Sequence, residues 1–464
     1  MMSPLESKIL DRNCEALGIS IDILMENAGN ALFDFLSKKY GEKKILIVCG
    51  IGNNGGDGMA CAKHFGRKVN VALLLPPEKI KTDAARRQFN SLARRPAMFS
   101  DVNLDNYDVL VDCVLGVNVR SPLDPVYRDY VKRVKAFKGI VISADVPTGF
   151  GTKDAIVPHT TVTFHAVKEG MTEDNSGNIV VADIGIPKEA IHILGPGDML
   201  LYPLPRADSH KGDNGRLLVI GGGPYIGAPA MSAMAAVRAG VDVVRIATPK
   251  RSFLPIAAMT PTFIMHELSD NNILSENDVK LILELVKKVD AVLIGPGLGT
   301  AETTMHAVRE IVLRCDKPIV VDADGIVAIA PMTVLPKNVI ITPHKREFED
   351  FSGFALNSCD LMSVSKKRNV TILLKGETDV IVHEDRKRIN NTGTSAMTVG
   401  GTGDVLSGIV AGLLSKGMSP FHAACVGAFI SGTAGEMAFE EHSYGLNATD
   451  VIEKITKVLK AYLP

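Results

Sequence analysis

Chemistry in this chain concentrates where glycines and carboxylates share short segments. Gly400-Gly401-Thr402-Gly403-Asp404 stands directly before an apolar helical pattern. Glycines let the backbone approach a phosphoryl group, and the first N–H groups of a helix are unpaired donors with partial positive charge. Such a loop suits a group that gains negative charge during transfer. Asp404 at its mouth is placed to take a proton from an attacking hydroxyl. The other reading of Gly401–Asp404 is an N-cap aspartate after a flexible loop.

Three further segments join it in the same half. Lys375-Gly376-Glu377-Thr378-Asp379 follows a predicted strand, where Lys375 is positioned for phosphate and the next residues for a nucleotide pocket. Gly295-Pro296-Gly297-Leu298-Gly299 closes another strand, and Thr342-Pro343-His344 a third, where a lone His is as readily structural. In the first half, Gly50–Gly58 (GIGNNGGDG) follows a strand and offers Asn53, Asn54, Gly55, Gly56 and Asp57 to a phosphate, ribose or cation. Asp57 also reads as a simple helix cap. The Gly50–Gly55 spacing matches a dinucleotide fingerprint only weakly, because no acidic residue closes the second strand. Asp112–Gly116 and Asp145–Thr148 sit at two more strand ends.

The elements that must position these groups alternate between strand and helix. Strands are predicted at Lys44–Cys49, Val69–Leu75, Val109–Leu115, Ile140–Ala144, Thr160–Phe164 and Ile179–Ile184. After a Gly- and Pro-rich stretch, Leu194–Asn214, they resume at Arg216–Ile220, Val243–Ala247, Ala291–Ile294, Pro318–Asp322, Val339–Thr342 and Val370–Lys375. Helices are predicted at Met59–Phe65, Ala228–Ala239, Val405–Leu414 and Pro420–Phe439, the last two ending the chain's second domain. This alternation implies parallel sheets covered on both faces, with ligands beyond the carboxyl ends of the strands. Two three-layer α/β domains are expected, residues 1–203 and 204–464, with the boundary inside the linker-like stretch Leu194–Asn214.

Bulk composition narrows the class. The 464 residues are 46% hydrophobic, too long for one core and too apolar for disorder. Lys plus Arg total 51 against Asp plus Glu 52, a balance with no global field for nucleic acid or an anionic membrane. The clusters Arg86-Arg87, Arg94-Arg95 and Lys366-Lys367-Arg368 read as solvated helix faces. Seven scattered cysteines lack zinc-ligand spacing; Cys49 and Cys113 read as buried strand residues, and the set as a reduced, cytoplasmic pattern. Residues 1–17 lack the apolar run of a signal peptide, and no stretch is apolar enough to span a membrane.

Taken in order, the four segments of the second half resemble the ribokinase-like superfamily. His210–Arg216 (HKGDNGR) with Gly221–Ala228 resembles its NAD(P)H-hydrate dehydratase branch, over roughly 207–463. The resemblance implies that Lys375, Gly376, Glu377, Thr378, Asp379 and Gly403 contact ADP or ATP. It implies that Ala228, Gly299, His344 and Asp404 face the hydrated dinucleotide, with Asp404 catalytic. The family phosphorylates the C6 hydroxyl of the S hydrate, and loss of phosphate restores the dihydronicotinamide; Mg²⁺ bridges the donor phosphates.

The first half, with Gly18–Gly29 (GISIDILMENAG), Asp145-Val146-Pro147-Thr148-Gly149, Lys168-Glu169-Gly170 and Asp183–Pro187, resembles NAD(P)H-hydrate epimerase over roughly 1–195 and a Rossmann-like fold. It implies that Asn53–Asp57 and Asp145 bind substrate; Gly116 and Arg120 are further substrate-binding candidates, and Asp145, a strand-end carboxylate near a cation, is the candidate for acid–base work at C6. Asn54, Asp112 and Thr148 would hold K⁺. Together the halves imply a fused repair enzyme for hydrated NAD(P)H, and a homo-oligomer is expected.

Three positions depart from the family pattern. Lys345-Arg346 replace the usual Pro-Gly between His344 and Glu347, and Asp242 replaces a small residue. Val117–Pro122 (VNVRSP) lacks the glycines that normally follow Asp112, although Arg120 offers a charge-assisted contact to phosphate. Two other readings stand beside the repair enzyme. One is a ribokinase-like small-molecule kinase, and the other gives the N-terminal half only a binding or dimerisation role.

Overall fold

Apolar, β-branched runs become the central strands of both halves. A computed structural model describes residues 1–117, 121–358 and 360–463. The chain divides into two compact units, Met1–Ile191 and His192–Pro464.

The first unit contains β1 (Ile45–Cys49), β2 (Asn70–Leu73), β3 (Ala97–Met98), β4 (Val109–Cys113), β5 (Ile140–Ala144), β6 (Thr160–Phe164) and β7 (Asn178–Ala182). Their order across the sheet is β3-β2-β1-β4-β5-β6-β7, and every pairing is parallel. β1 shows why the sheet needs a helical layer on each side. Ile45, Ile47 and Cys49 join one apolar cluster with Leu32 and Met59, whereas Leu46 and Val48 join another with Phe99 and Tyr130. Side chains alternate along a strand, so a strand apolar at every position must be buried twice.

The second unit contains β8 (Arg216–Ile220), β9 (Val243–Thr248), β10 (Ile264–Glu267), β11 (Ala291–Ile294), β12 (Ile319–Val321), β13 (Val339–Ile341), β14 (Val370–Leu374), β15 (Asp379–His383) and β16 (Arg386–Asn390). They lie in the order β10-β9-β8-β11-β12-β13-β14-β15-β16. The last two pairings are antiparallel and the rest parallel. Leu217 and Val219 of β8 face one core, Leu218 and Ile220 the other. Because β11, β12, β13 and β14 are neighbours, the turns after Ile294, Val321, Ile341 and Leu374 line up along one carboxyl edge. That edge gathers the segments the sequence singled out.

Several expectations are corrected. The glycine segment after β1 is not a loop: the helix Asn53–Phe65 begins six residues before the predicted Met59. The helix Thr402–Ser415 likewise takes in Thr402, Gly403 and Asp404 as its first turn. A further helix, Ala448–Tyr462, ends the second unit after Pro420–His442. The units divide at Ile191/His192, ahead of the expected 203/204. Residues 193–202 are part of the second unit, where Ile193 bridges Ile389, Leu194 N–H donates to Ile389 O at 2.7 Å, and Arg388 pairs with Asp198 at 2.9 Å. Among the described residues no helix is long and apolar enough to cross a membrane. Six of the seven cysteines are described; all are free and buried, Cys49 and Cys113 among them.

Candidate functional sites

In the second unit the site grows from the end of β12. Asp322 is buried, accepts the Thr342 hydroxyl at 2.8 Å and pairs with the Lys375 ammonium at 3.1 Å. Burial works against the charge on Lys375, but Asp322, with Glu347 and Asp404, outweighs it and holds the amine above its usual range. Ala323 then takes a left-handed φ of 47°, which swings Asp324 out to accept Gly299 N–H at 2.8 Å. Burial raises the Asp324 carboxyl above the usual range. The sheet thus brings a cation and two carboxylates from two strand ends, those of β14 and β12, to one place.

Asp404 faces this group from the first turn of its helix. Its carboxyl is pushed up to about 7, first by burial and then by Asp322 and Asp324, with Lys375 acting in the opposite sense. Gly401 makes the approach feasible: its φ is 95°, and a Cβ there would lie 2.5 Å from Met231 Sδ. A Cβ on Gly403 would stand 3.3 Å from Lys375 Nζ, so this turn closes over the amine. A carboxyl titrating near neutrality beside helix N–H groups and a fixed ammonium can accept a hydroxyl proton while the cation meets phosphate.

The other predicted residues take various places. His344 caps the helix Lys345–Ser352 reciprocally with Glu347, its N–H donating to Glu347 and its Nδ1 accepting from Glu347 N–H. It also bridges Lys375 along the edge, so Lys345-Arg346 fall in a helix without disturbing the cap. Gly376, Glu377 and Thr378 form the exposed turn of the β14–β15 hairpin. Asp379 fastens that turn by accepting from Gly376 N–H and Asn390 Nδ2, both at 3.1 Å. Ala228 lies in the first turn of the helix Gly227–Arg238, which packs tightly on the Asp404 helix where Gly408 meets Ser232. Asp242, the second departure, accepts Gly212 N–H at 2.9 Å and Asn214 N–H at 3.1 Å and so fixes the turn in HKGDNGR. Asp322 and Asp324 were not singled out by sequence; the acidic strand end Val321-Asp322-Ala323-Asp324-Gly325 was the available signal.

In the first unit a cavity of about 430 Å³ opens at the carboxyl ends of β1, β4, β5 and β6. Asn53, Asn54, Asp57, Gly116 and Asp145 all line it; Arg120 lies outside the described residues. Asp145 has a left-handed φ of 61°, a conformation costing a non-glycine residue about 1–2 kcal/mol. Its carboxylate meets the Lys168 ammonium at 2.6 Å and accepts Phe164 N–H at 3.3 Å. Lys168 is almost wholly buried and also donates to Thr163 Oγ1, Phe164 O and Ala166 O, so every ammonium proton is directed. Burial, reinforced by Asp145 and Asp11, drives Asp57 well above the usual carboxyl range. Sequence reading used Lys168 only as part of a resemblance, because nothing local marks a lysine as buried.

Beside the cavity, Asp112 is fully buried and accepts from Tyr130 Oη, Ser143 Oγ, Thr148 N–H and Thr148 Oγ1 at 2.6–3.0 Å. Burial nevertheless raises its carboxyl above the usual range. Thr148 Oγ1 also accepts Leu115 N–H at 3.1 Å, and Asn54 Nδ2 donates to Leu115 O at 3.0 Å. The buried Oδ1 of Asn54 has no hydrogen-bond partner. An orphaned amide oxygen on a side chain linked through the Leu115 backbone to Thr148 and Asp112 is part of an oxygen-rich set that fits a hard cation. No group of three His, Cys, Asp or Glu side chains able to hold a metal occurs among the described residues.

Comparison with known proteins agrees with this division. Residues 217–457 match the family described as NAD(P)H-hydrate dehydratase, and residues 21–170 that described as YjeF-related protein N-terminus. The bifunctional NAD(P)H-hydrate repair enzyme of Methanothermobacter thermautotrophicus is 38% identical over 496 residues, covering 99% of this chain and 95% of that one. The protein of the same name from Hyperthermus butylicus is 37% identical over 491 residues, covering 97% and 90%. A ribokinase-like superfamily protein from Enterococcus faecalis overlays with a TM-score of 0.53 at 25% identity, covering 58% of this chain and 96% of its own.

Proposed function

The chain belongs to the family of bifunctional NAD(P)H-hydrate repair enzymes, and from that membership we propose how its residues divide the work. The protein is both an NAD(P)H-hydrate epimerase and an ADP- or ATP-dependent NAD(P)H-hydrate dehydratase. We assign dehydration to His192–Pro464 and epimerisation to Met1–Ile191. The rival readings, a kinase with a stable phosphorylated product and an inert N-terminal module, lose ground because the relatives match both halves at nearly full length.

In the second unit Asp404 takes the proton of the C6 hydroxyl as its oxygen attacks the terminal phosphorus of ADP or ATP. Lys375, fixed by Asp322, and the N–H groups around Gly403 meet the charge that develops on the phosphoryl oxygens. Lys375–Asp379 hold the nucleotide, and Ala228, Gly299 and His344 border the hydrate. The ring nitrogen's lone pair then expels phosphate, and loss of a C5 proton restores the dihydronicotinamide. Mg²⁺ would be carried by the donor phosphates with at most one or two carboxylates, which suits a site lacking a dedicated cage.

In the first unit Asn53–Asp57 and Gly116 border the substrate, and Asp145, oriented by Lys168, works at C6. K⁺ held by Asn54, Asp112 and Thr148 would fix the loop after β4. Free, buried cysteines support a reducing, cytoplasmic setting, and a homo-oligomer remains the expected assembly.

The observation carrying this reading is Asp404, a carboxyl held near neutrality beside Lys375 and a helix N-terminus. Incubating the protein with mixed R and S hydrate and either ADP or ATP tests it. NADH should form with at least one nucleotide and consume both epimers; no NADH with either rejects it.

A further inference from the structure

The N-terminal helix Pro4–Ala16 precedes the residues matched to the epimerase-half family, which begin at 21. It is nevertheless tied to the cavity. Met2 N–H donates to Val167 O and Met2 O accepts Glu169 N–H, both at 2.9 Å, so the chain's start pairs with the backbone on either side of Lys168. From that anchor Pro4, Ser7, Lys8 and Asp11 line the cavity. Their spacing of three, four and seven residues is one face of a helix. Ile9, Asn13 and Cys14 are buried. The helix is therefore a wall of the site, and Asp11 is the carboxyl it contributes. Among the described residues no hydrogen bond engages the Asp11 side chain, whereas Asp145 is bound by Lys168.

We propose that Asp11 is a second acid–base group of the epimerase site, acting from the N-terminal wall on the substrate that Asp145 also handles. This rests on the epimerase reading of the first unit. The hydrate is a hemiaminal, with hydroxyl and ring nitrogen N1 on the same carbon, C6. Asp145 as carboxylate takes the hydroxyl proton, C6=O forms, and the C6–N1 bond breaks with its electron pair going to N1. Asp11 as carboxylic acid gives N1 a proton. Rotation about C5–C6 then presents the other face of the carbonyl. N1 attacks C6 as Asp11 recovers its proton, and the carbonyl oxygen takes back the proton from Asp145. Both groups return to their starting states, and no other reactant is needed.

The electrostatics match this division. Burial, then the charge of Asp145, pushes Asp11 up to about 6, against the pull of Lys168. Besides these, Glu15 and Lys8 on its own helix, Asp57 opposite and His165 after β6 face the same region. A carboxyl raised to about 6 keeps a protonated fraction close to neutrality, which is what a general acid on this wall requires.

The test uses the full-length chain with Asp11→Asn and Asp11→Glu, following R-to-S conversion against pH and NADH formation from pure S hydrate. Asp11→Asn should lower the epimerase kcat about 100-fold, leave KM and S-hydrate dehydration nearly unchanged, and remove the alkaline decline of the wild-type profile. Asp11→Glu should keep that decline and part of the rate. Epimerisation by Asp11→Asn within about threefold of wild type overturns the proposal alone. A wild-type chain that dehydrates the S form but never converts the R form overturns the epimerase reading as well. Calorimetry guards against misfolding. If Asp11→Asn melts below the assay temperature, an Asp11→Glu variant with full rate but no alkaline decline also overturns the proposal.

Discussion

The Lys375 ammonium shares one oxygen of Asp322 with the Thr342 hydroxyl, at 3.1 and 2.8 Å, and the three residues come from adjacent strand ends. Register between β12, β13 and β14 therefore sets the position of the cation. Lys375→Met should leave Asp322 as an unpaired buried anion, costing about 3 kcal/mol, the low end for such pairs because Lys375 keeps 19% of its surface exposed. Dehydration should slow about 100-fold or more. Unfolding curves and NADH formation from S hydrate read both effects; a variant of wild-type stability would mean the pair is electrostatically slack.

Asp404→Asn separates catalysis from stability. The kcat for dehydration should fall about 100- to 10,000-fold, with nucleotide binding little changed. In the wild type a base titrating near 7 makes kcat/KM fall as pH drops below that value. The stability effect has the opposite sense: a carboxyl raised in the folded state stabilises most below its unfolded value and loses that contribution as pH rises through about 7. The variant should thus be the more heat-stable protein at pH 8, by roughly 2–4 °C for each kcal/mol relieved. A melting series from pH 5 to 8 checks the sign.

Thr148 probes the proposed cation. Thr148→Ser keeps the hydroxyl that bridges Leu115 N–H and Asp112 and should epimerise like the wild type, with more activity in K⁺ than in Na⁺. Thr148→Val strands both partners, costs about 1–3 kcal/mol, and should abolish the K⁺ response. Equal rates in both salts for the wild type would remove the cation from the account.

Gly401→Ala tests the turn beneath Asp404. The new Cβ meets Met231 Sδ at 2.5 Å and imposes a left-handed φ on alanine, so a loss of about 2–4 kcal/mol is expected. Adding Met231→Ala should relieve the clash but not the φ term, which leaves a measurable remainder in a double-mutant cycle.

How far the sequence foretold all this depends on how local each signal is. Ile45–Cys49 and Arg216–Ile220 announce themselves as strands because burial on both faces removes almost every polar residue. Edge elements carry no such pressure: Ala97–Met98 has two residues, and Arg386–Asn390 opens on three consecutive basic residues. Asn53–Gly58 reads as a loop because glycine disfavours helices, yet the first turns tolerate it where Gly55 must pass Gly50 with no room for a Cβ. Asp404, Lys375 and Asp145 were visible as strand-end or helix-start polar residues. Their partners Asp322 and Lys168 were not, because a buried ion pair such as Lys375–Asp322 joins residues 53 positions apart.

The pairing of Leu194 with Ile389, and of Arg388 with Asp198, bears on any history of gene fusion. A cut at codon 204, where the glycines and prolines suggest a seam, would give a free-standing dehydratase with an exposed sheet edge and a guanidinium stripped of its counter-ion. A cut at codon 192 spares both. Ancestors in which the two activities were separate genes should therefore begin their second reading frame upstream of the apparent linker, carrying the stretch equivalent to Ile193–Tyr202 with the dehydratase.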